Sequence, residues 1–462
     1  MDNVGSYGYY WSSSLISDDV FNAYQLNFNS DNVNWDNNDN RYYGYPVRGV
    51  VGQNSFILLC HIYLWHFLFY NIMYQISKTK LLIDLYFAFQ CARKHKSKKE
   101  YIKVFERNLH NNLVELRDEI YEKRYKPQPS VCFIINDPKK REIFAANFRD
   151  RIVHHLYYNY TYDLFNRNFI EDSYSCRKGK GTHYGIHRLE KHIREESENY
   201  TKDAYVLKMD IKGYFIHIYR PLLLSIVNST LDKMMFRKDS MTHNMYCEFI
   251  DFELVKHLSK VIILFNPVEN CIVRSKRNEW LSLDKSKSLF YCGEGCGLPI
   301  GNLTSQLFSN VYLNILDQYI KRVLRCKHYG RYVDDFYVVS KDKEFLKHIV
   351  GEIEKFISQS LKLEIQKKKT HIVNIKHGVD FLGAFILPYR TYVSNKTLKR
   401  IRTHLYQFQH YGTDADVVNM VNSYLGVFSH YKSNNMKIET MNKTIKLIEY
   451  GKFVDNYSKF VN

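Results

Sequence analysis

Hydrophobic residues along most of this chain recur at one of two spacings, and the change from one spacing to the other marks out its elements. Ile102, Phe105, Leu109, Leu113, Leu116 and Ile120 share one face at helical spacing, which predicts a helix from about Tyr101 to Lys123. Val131 to Ile135 and Glu142 to Ala145 flank Asp137-Pro138-Lys139-Lys140 and read as a hairpin. A helix near Phe148–Phe165 comes next, then a strand over Tyr205–Met209 that ends on Asp210, then a helix after Pro221. The stretch from roughly 230 to 290 reads as irregular, and Gly297–Leu313 as a glycine-bearing turn running into a helix. Aromatic and β-branched residues then alternate over Tyr329–Val333 and Phe336–Val339, predicting two strands joined by a tight turn that holds out Asp334 and Asp335. Phe345, Ile349, Ile353, Phe356 and Ile357 mark another amphipathic helix, and past Gly383 the chain reads as helical and basic to Asn462. No internal repeat stands out.

The beginning of the chain follows neither spacing. Residues 1–51 hold nine Asn and no Lys, with Tyr, Trp, Ser and Gly interleaved. Phe56 to Tyr74 is uncharged and mostly apolar, close in length to a membrane span of about 20 residues. His61, His66 and Asn71 sit awkwardly in lipid, and nothing else in the chain looks membranous, so a buried or partner-covered segment is the preferred reading. A basic run, Arg93 to Lys99, follows.

With 462 residues and 45% hydrophobic content, the chain can hold several domains around ample core, which excludes a disordered protein. Its formal charge of +18 favours nucleic acid or an anionic surface as partner. That excess lies outside residues 1–51, where two Arg face six Asp. Nine Cys with no CxxC pair argue for reduced thiols and a cytoplasmic protein; Cys292 and Cys296 lack a matching second pair, which speaks against zinc.

The chemistry concentrates in carboxylates. A lone Asp-Asp turn is ordinarily a solvated hairpin end. Here Asp210 also closes a strand 124 residues before Asp334. Carboxylates from two strand ends can meet at one sheet edge and clamp two Mg²⁺ about 3.5–4 Å apart, an arrangement suited to in-line phosphoryl displacement.

These motifs resemble those of reverse transcriptases: Tyr205-Val206-Leu207-Lys208-Met209-Asp210 as motif A, the glycine-bearing Gly297–Gln306 as motif B, and Tyr332-Val333-Asp334-Asp335. The resemblance runs from roughly residue 74 to the end. It implies an α+β right-hand polymerase, with fingers over about 75–204, a palm with a ferredoxin-like antiparallel sheet over 205–388 carrying an insertion at 230–290, and a helical thumb over 389–462. Asp210, Asp334 and Asp335, with the backbone carbonyl of Ile211, are the implied ligands of two Mg²⁺, with Mn²⁺ as a substitute. Phe215 matches the steric gate that excludes a ribose 2′-hydroxyl. Arg141 and Arg177 match fingers positions that grip the dNTP triphosphate. Lys369 matches the motif D lysine, a general acid for pyrophosphate, and Phe381-Leu382-Gly383 the primer grip. The implied partners are template RNA, the RNA/DNA hybrid and dNTPs.

Motif B narrows the resemblance. Ile300 stands before Gly301 where most reverse transcriptases have Gln, and Gln306 follows Ser305 where most have Pro. This form is similar to the reverse transcriptases of diversity-generating retroelements, as are the 230–290 insertion and Asn422–Phe428. In that family the motif B Ile and a fingers Arg, here Ile300 and Arg141, influence misincorporation opposite template adenines, and a small basic accessory protein is the partner. No intron-maturase, RNase H or endonuclease module follows, which agrees. Gly8–Ser14 and Arg41–Arg48 resemble the end of a lectin-like variable protein, so residues 1–51 are read as a translated template repeat without an independent fold. Native translation would then start at Met73. Two alternatives stay open: a retron-like or phage-defence reverse transcriptase without adenine bias, and a nucleic-acid-binding or membrane-anchored protein with a dead polymerase core.

Overall fold

The computed structural model describes residues 76–462 apart from 137–138, 236–249, 412–413, 445–446, 448 and 462, together with the backbone of three strands before residue 76. The chain divides into two compact units, Met1–Gln75 and Ile76–Asn462. In the first, β1 (Tyr7–Leu15), β2 (Asn22–Asn29) and β3 (Val33–Asn40) form an antiparallel meander. Aromatic residues such as Tyr9, Tyr10 and Trp11 favour a pleated surface, a preference that Asn-rich composition conceals. The apolar 52–74 segment lies outside the described residues; among those that are described, no helix is long and apolar enough to cross a membrane.

The second unit holds four small sheets. β4 (Ser130–Ile135) and β5 (Arg141–Ala145) form the expected hairpin, and β7 (Cys271–Val273) joins β4 in parallel. β6 (Tyr205–Asp210), β8 (His328–Tyr332), β9 (Asp335–Ser340) and β10 (His371–Asn374) form a four-stranded antiparallel sheet in the order β10-β6-β9-β8. Alternate residues of a strand face opposite ways. Leu207, Met209, Phe336 and Val338 therefore enter the main core, with the Phe148–Asn166, Leu303–Gln318 and Lys343–Leu361 helices. Val206, Tyr337 and Val339 enter a second core with the Thr182–Glu196 helix and two short strands, β11 (Val379–Phe381) and β12 (Ala384–Leu387). β13 (Arg390–Val393) completes that third sheet. A separate core around Leu398, Ile401, Val421 and Leu425 holds the C-terminal helices, and β14 (Lys452–Val454) and β15 (Lys459–Val461) end the chain as a hairpin.

Three expectations change. The helix expected over 101–123 is two helices, Glu100–Glu106 and Leu109–Tyr121. Asn side chains compete for the backbone at the break: Asn112 donates to the Phe105 carbonyl and Asn111 to the Asn108 side chain, both at 2.9 Å. The 230–290 region is not irregular where described, because it contains the Phe252–Leu264 helix and β7. The region past Gly383 is not wholly helical. β12 and β13 span only four residues each, too short for alternation to show in sequence.

Below the Asp334-Asp335 turn lies a fully buried ion pair. Arg331 donates to both Asp317 carboxylate oxygens, at 2.7 and 2.6 Å, and to the Val333 carbonyl at 3.0 Å. Tyr329 donates to the same Asp317 at 2.6 Å. Removing one partner strands the other as a buried charge, a loss of about 3–5 kcal/mol. Arg331→Met should therefore lower the urea midpoint by that equivalent with an unchanged slope, and the double variant with Asp317→Leu should recover part of the loss. A change below about 1 kcal/mol in the single variant would show that the pair is not structural.

Candidate active site

β6 and β9 run side by side with Asp210 opposite Asp335, and Tyr332 faces Asp335 across the β8–β9 hairpin. Since Val206 and Tyr337 face the second core, Asp210 and Asp335 lie on that same face of the sheet. Asp334 occupies the turn, and its carbonyl accepts the Ile211 N–H at 3.2 Å. The Asp210 carbonyl accepts the Gln366 N–H at 2.7 Å, and Ile211 bridges Ile365. The backbone alone thus brings Asp210, Ile211, Asp334 and Asp335 to one sheet edge.

The turn is strained. Val333 has φ 56°, a left-handed conformation that a β-branched side chain resists at a cost of about 1–3 kcal/mol. The Arg331 bond to its carbonyl holds it there. The carboxylates are also short of cations. Burial first, then the charge of Asp210, pushes Asp334 up from 3.8 to about 6. Asp335 is raised too, chiefly by burial.

Lys369 supplies the near cation, with Nζ 2.7 Å from Asp210 Oδ2. It stands in a short turn, Lys367–Lys369, that follows the Gln366 contact. Among the described residues no three His, Cys, Asp or Glu side chains enclose a point. Asp210, Asp334 and Asp335 offer only oxygens, the hard donors that divalent cations of the Mg²⁺ and Ca²⁺ type take.

Two lysines that sequence reading passed over belong to this surround. Lys139 is held below its usual range by burial and then by the charges of Lys396, Lys369 and Arg141, while the charge of Asp210 acts the other way. The Lys139-Lys140-Arg141 run was the signal for the first; nothing in sequence pairs Lys396 with it. Lys208 donates to the Asp380 carbonyl and lies 5.8 Å from the Phe381 ring, tying β6 to β11, and its charge opposes the upward shift of Asp335.

Arg141 opens β5 and is exposed. Arg177 is a correction. It is buried, with its guanidinium donating to Asn166 Oδ1 at 2.7 Å and to the Ile170 and Ser173 carbonyls at 2.6 and 3.0 Å. Its Nε and Nη1 are taken up by protein acceptors, which fastens the loop and leaves only Nη2 without a protein bond among the described residues. The lysines of the same loop also have partners: Lys178 lies over the Tyr162 ring, and Lys180 pairs with Glu171 at 2.9 Å.

Phe215 is half-buried in the one-turn helix Tyr214–His217, and its carbonyl accepts the Leu298 N–H at 2.8 Å, which attaches the steric-gate candidate to motif B. Motif B in turn docks on β5. Phe144 donates to the Ile300 carbonyl at 3.0 Å, and Ala146 to Asn302 Oδ1 at 3.1 Å. Gly301, at φ 124°, lies so near β5 that a Cβ would stand 2.9 Å from the Ile143 side chain. Gln306 is exposed on the helix that follows.

The family model for reverse transcriptase (RNA-dependent DNA polymerase) matches residues 135–386. The chain belongs to that family. Its carboxylates, the motif B loop and β5 of the hairpin all fall inside the match. Protein YkfC of Escherichia coli (strain K12) is 24% identical over 302 residues, which cover 58% of this chain and 69% of YkfC. Apo telomerase from Candida tropicalis, truncated from its C-terminal domain, matches with a TM-score of 0.42 and 14% identity over 62% of this chain and 60% of that one. Telomerase from Candida albicans, in complex with a fragment of telomeric RNA, gives 0.38 and 13% over 71% and 61%. The chain spans about three-fifths of the length of these telomerases. The family is one of RNA-dependent DNA polymerases that use divalent metal ions, and the sheets and helices of this chain make it an α+β protein.

The raised carboxylate sets a pH signature. Asp334 binds its proton more tightly folded than unfolded, so its contribution is fully stabilising below pH 3.8 and is lost as pH rises through about 6. In chelator at pH 7.5, Asp334→Asn should melt at a higher temperature than the parent enzyme, and the difference should close below pH 4. The same variant should lose dNTP incorporation at least about 100-fold with Mg²⁺ present. A folded variant that keeps its activity would place the chemistry elsewhere.

Proposed function

We propose that this reverse transcriptase copies a template-repeat RNA into cDNA with errors concentrated at template adenines, and so diversifies a variable protein gene. The observation that carries this reading is motif B, with Ile300 before Gly301 and Gln306 after Ser305. Its setting supports the reading. The Ile300 carbonyl is bonded to β5, the strand that starts with Arg141, so the two positions associated with adenine misincorporation share one strand edge. A shorter side chain than Gln at position 300 removes an amide from the wall of the nucleotide pocket and leaves the pairing base less firmly fixed.

In this reading Asp210, Asp334 and Asp335, with the Ile211 carbonyl, hold two Mg²⁺, which activate the primer 3′-hydroxyl and neutralise the leaving pyrophosphate. Arg141, with Lys139, binds the triphosphate. The Phe215 ring excludes a 2′-hydroxyl and selects dNTPs. Lys369, already hydrogen-bonded at Asp210, gives its proton to pyrophosphate. Template RNA and the RNA/DNA hybrid follow the basic surface through phosphate contacts without sequence readout. A small basic accessory protein completes the complex. Residues 1–51, with nine Asn, are the translation of a template repeat, since adenine-rich AAY codons encode Asn.

The test is sequencing of cDNA made on a defined RNA. Substitutions should cluster at template adenines, and Ile300→Gln should lower that class by about tenfold while errors at the other three bases stay level. Errors spread evenly over all four template bases would replace this reading with an unbiased reverse transcriptase of another bacterial class.

A further inference from the structure

Glu142, the second residue of β5, is a carboxylate only 3% exposed, and among the described residues no cation is bonded to it. It accepts hydrogen bonds from Trp280 Nε1 at 2.7 Å, Ser288 Oγ at 2.8 Å and the Leu289 N–H at 2.7 Å. All three donors come from the 277–291 stretch, more than 130 residues further along the chain. Leu289 then packs with Cys132, Phe144 and Ile216 in a small core, with Trp280, Cys271 and Cys292 against it. Lys140 adds a contact to Ser282 from the hairpin.

Three residues of this cluster adjoin candidate nucleotide-binding positions. Glu142 follows Arg141. Ile216 follows Phe215. Phe144 donates to the Ile300 carbonyl. The insertion also returns directly into motif B, where Gly297 donates to the Ile218 carbonyl at 2.9 Å and Leu298 to that of Phe215 at 2.8 Å. A carboxylate held by three neutral donors in a dry core resists displacement, because moving it leaves a buried charge unsatisfied.

We infer that residues 277–297 are a brace that fixes Arg141, Phe215 and Ile300 against one another, and that Glu142 is its positioning residue, setting nucleotide affinity and selectivity without touching the reacting atoms. The inference rests on the polymerase activity and is independent of the adenine bias. Glu142→Gln keeps the shape but sets an amide N–H₂ against donors, and Ser288→Ala removes one of the three bonds. Single-nucleotide incorporation on a fixed RNA template and DNA primer measures the effect, with Tyr157→Phe, which loses a buried bond to Ser259 in the main core and not in the brace's own small core, as a control for general loosening.

In Glu142→Gln the KM for dNTP should rise about tenfold and discrimination against rNTP should fall by a similar factor, with kcat and template–primer affinity within about twofold of the parent. Ser288→Ala should move the same two quantities by a smaller factor, and Tyr157→Phe neither. If Glu142→Gln does not fold, the split in Ser288→Ala decides. Unchanged KM and discrimination in a folded brace variant would overturn the inference, as would a fall in kcat and template–primer affinity matched by the control. Loss of all incorporation in the parent enzyme would instead count against the polymerase reading itself.

Discussion

The Arg331–Asp317 pair is the constraint on which this polymerase centre rests. A guanidinium at zero exposure is tolerable only when its charge is neutralised and its fork is filled. Asp317 takes two of its donors, and the Val333 carbonyl takes another. Arg331 also reaches Asn310 Oδ1, and Asn310 Nδ2 donates to the Ser175 carbonyl. The backbone of Arg331 is engaged as well, accepting from Tyr174 and donating to the Asp172 carbonyl. One residue thereby links the motif B helix, the loop before the Thr182–Glu196 helix and the strained turn. A hairpin that could slip by one residue would turn Asp335 to the opposite face and separate it from Asp210. The buried pair makes that slip costly.

The other side of the sheet is specified just as closely. Gly330 leaves room where the Tyr174 and Tyr337 hydroxyls meet at 2.7 Å, and any side chain there would collide with both. Tyr337 continues to His192, and Asp172 is bonded by Arg188 at 2.5 and 2.9 Å. Asp172 is accordingly held well below the ordinary carboxylate range by His192 and Arg188, despite its burial. Two polar networks therefore clamp the β8–β9 hairpin from opposite faces, and the packed networks rather than the loop chemistry of the turn determine where Asp334 stands.

The reach of the sequence can be judged from particular residues. The β8–β9 hairpin, β6 ending on Asp210 and the helix after Gly301 were legible because alternation, helical spacing and glycine each leave a local mark. β7, β12 and β13 were not, since three or four residues cannot show a period. Arg141 and Arg177 look alike as sequence, each a basic residue beside a turn. Only tertiary structure separates them, because the acceptors that take up Nε and Nη1 of Arg177 come from Asn166, Ile170 and Ser173. Glu142 was hidden for the opposite reason. A charged residue in a strand reads as solvent-facing, and its three donors lie more than 130 residues away.

The centre also shows where stability is surrendered to chemistry. Val333 is held in a conformation its side chain disfavours, and Asp334 is raised by burial beside Asp210. Both features oppose folding, and both are needed if carboxylates are to converge on a divalent ion in a partly dry cleft. Lys369 relieves part of the charge at Asp210, but a single ammonium is a weak substitute for two divalent ions. What remains uncompensated at the edge must be supported from below, by groups that take no part in the reaction. The Arg331–Asp317 pair is fully buried, geometrically complete and bonded to the strained carbonyl itself. Under the proposed function, the affinity of these carboxylates for a divalent ion would then depend on the rigidity of a buried ion pair that never meets it.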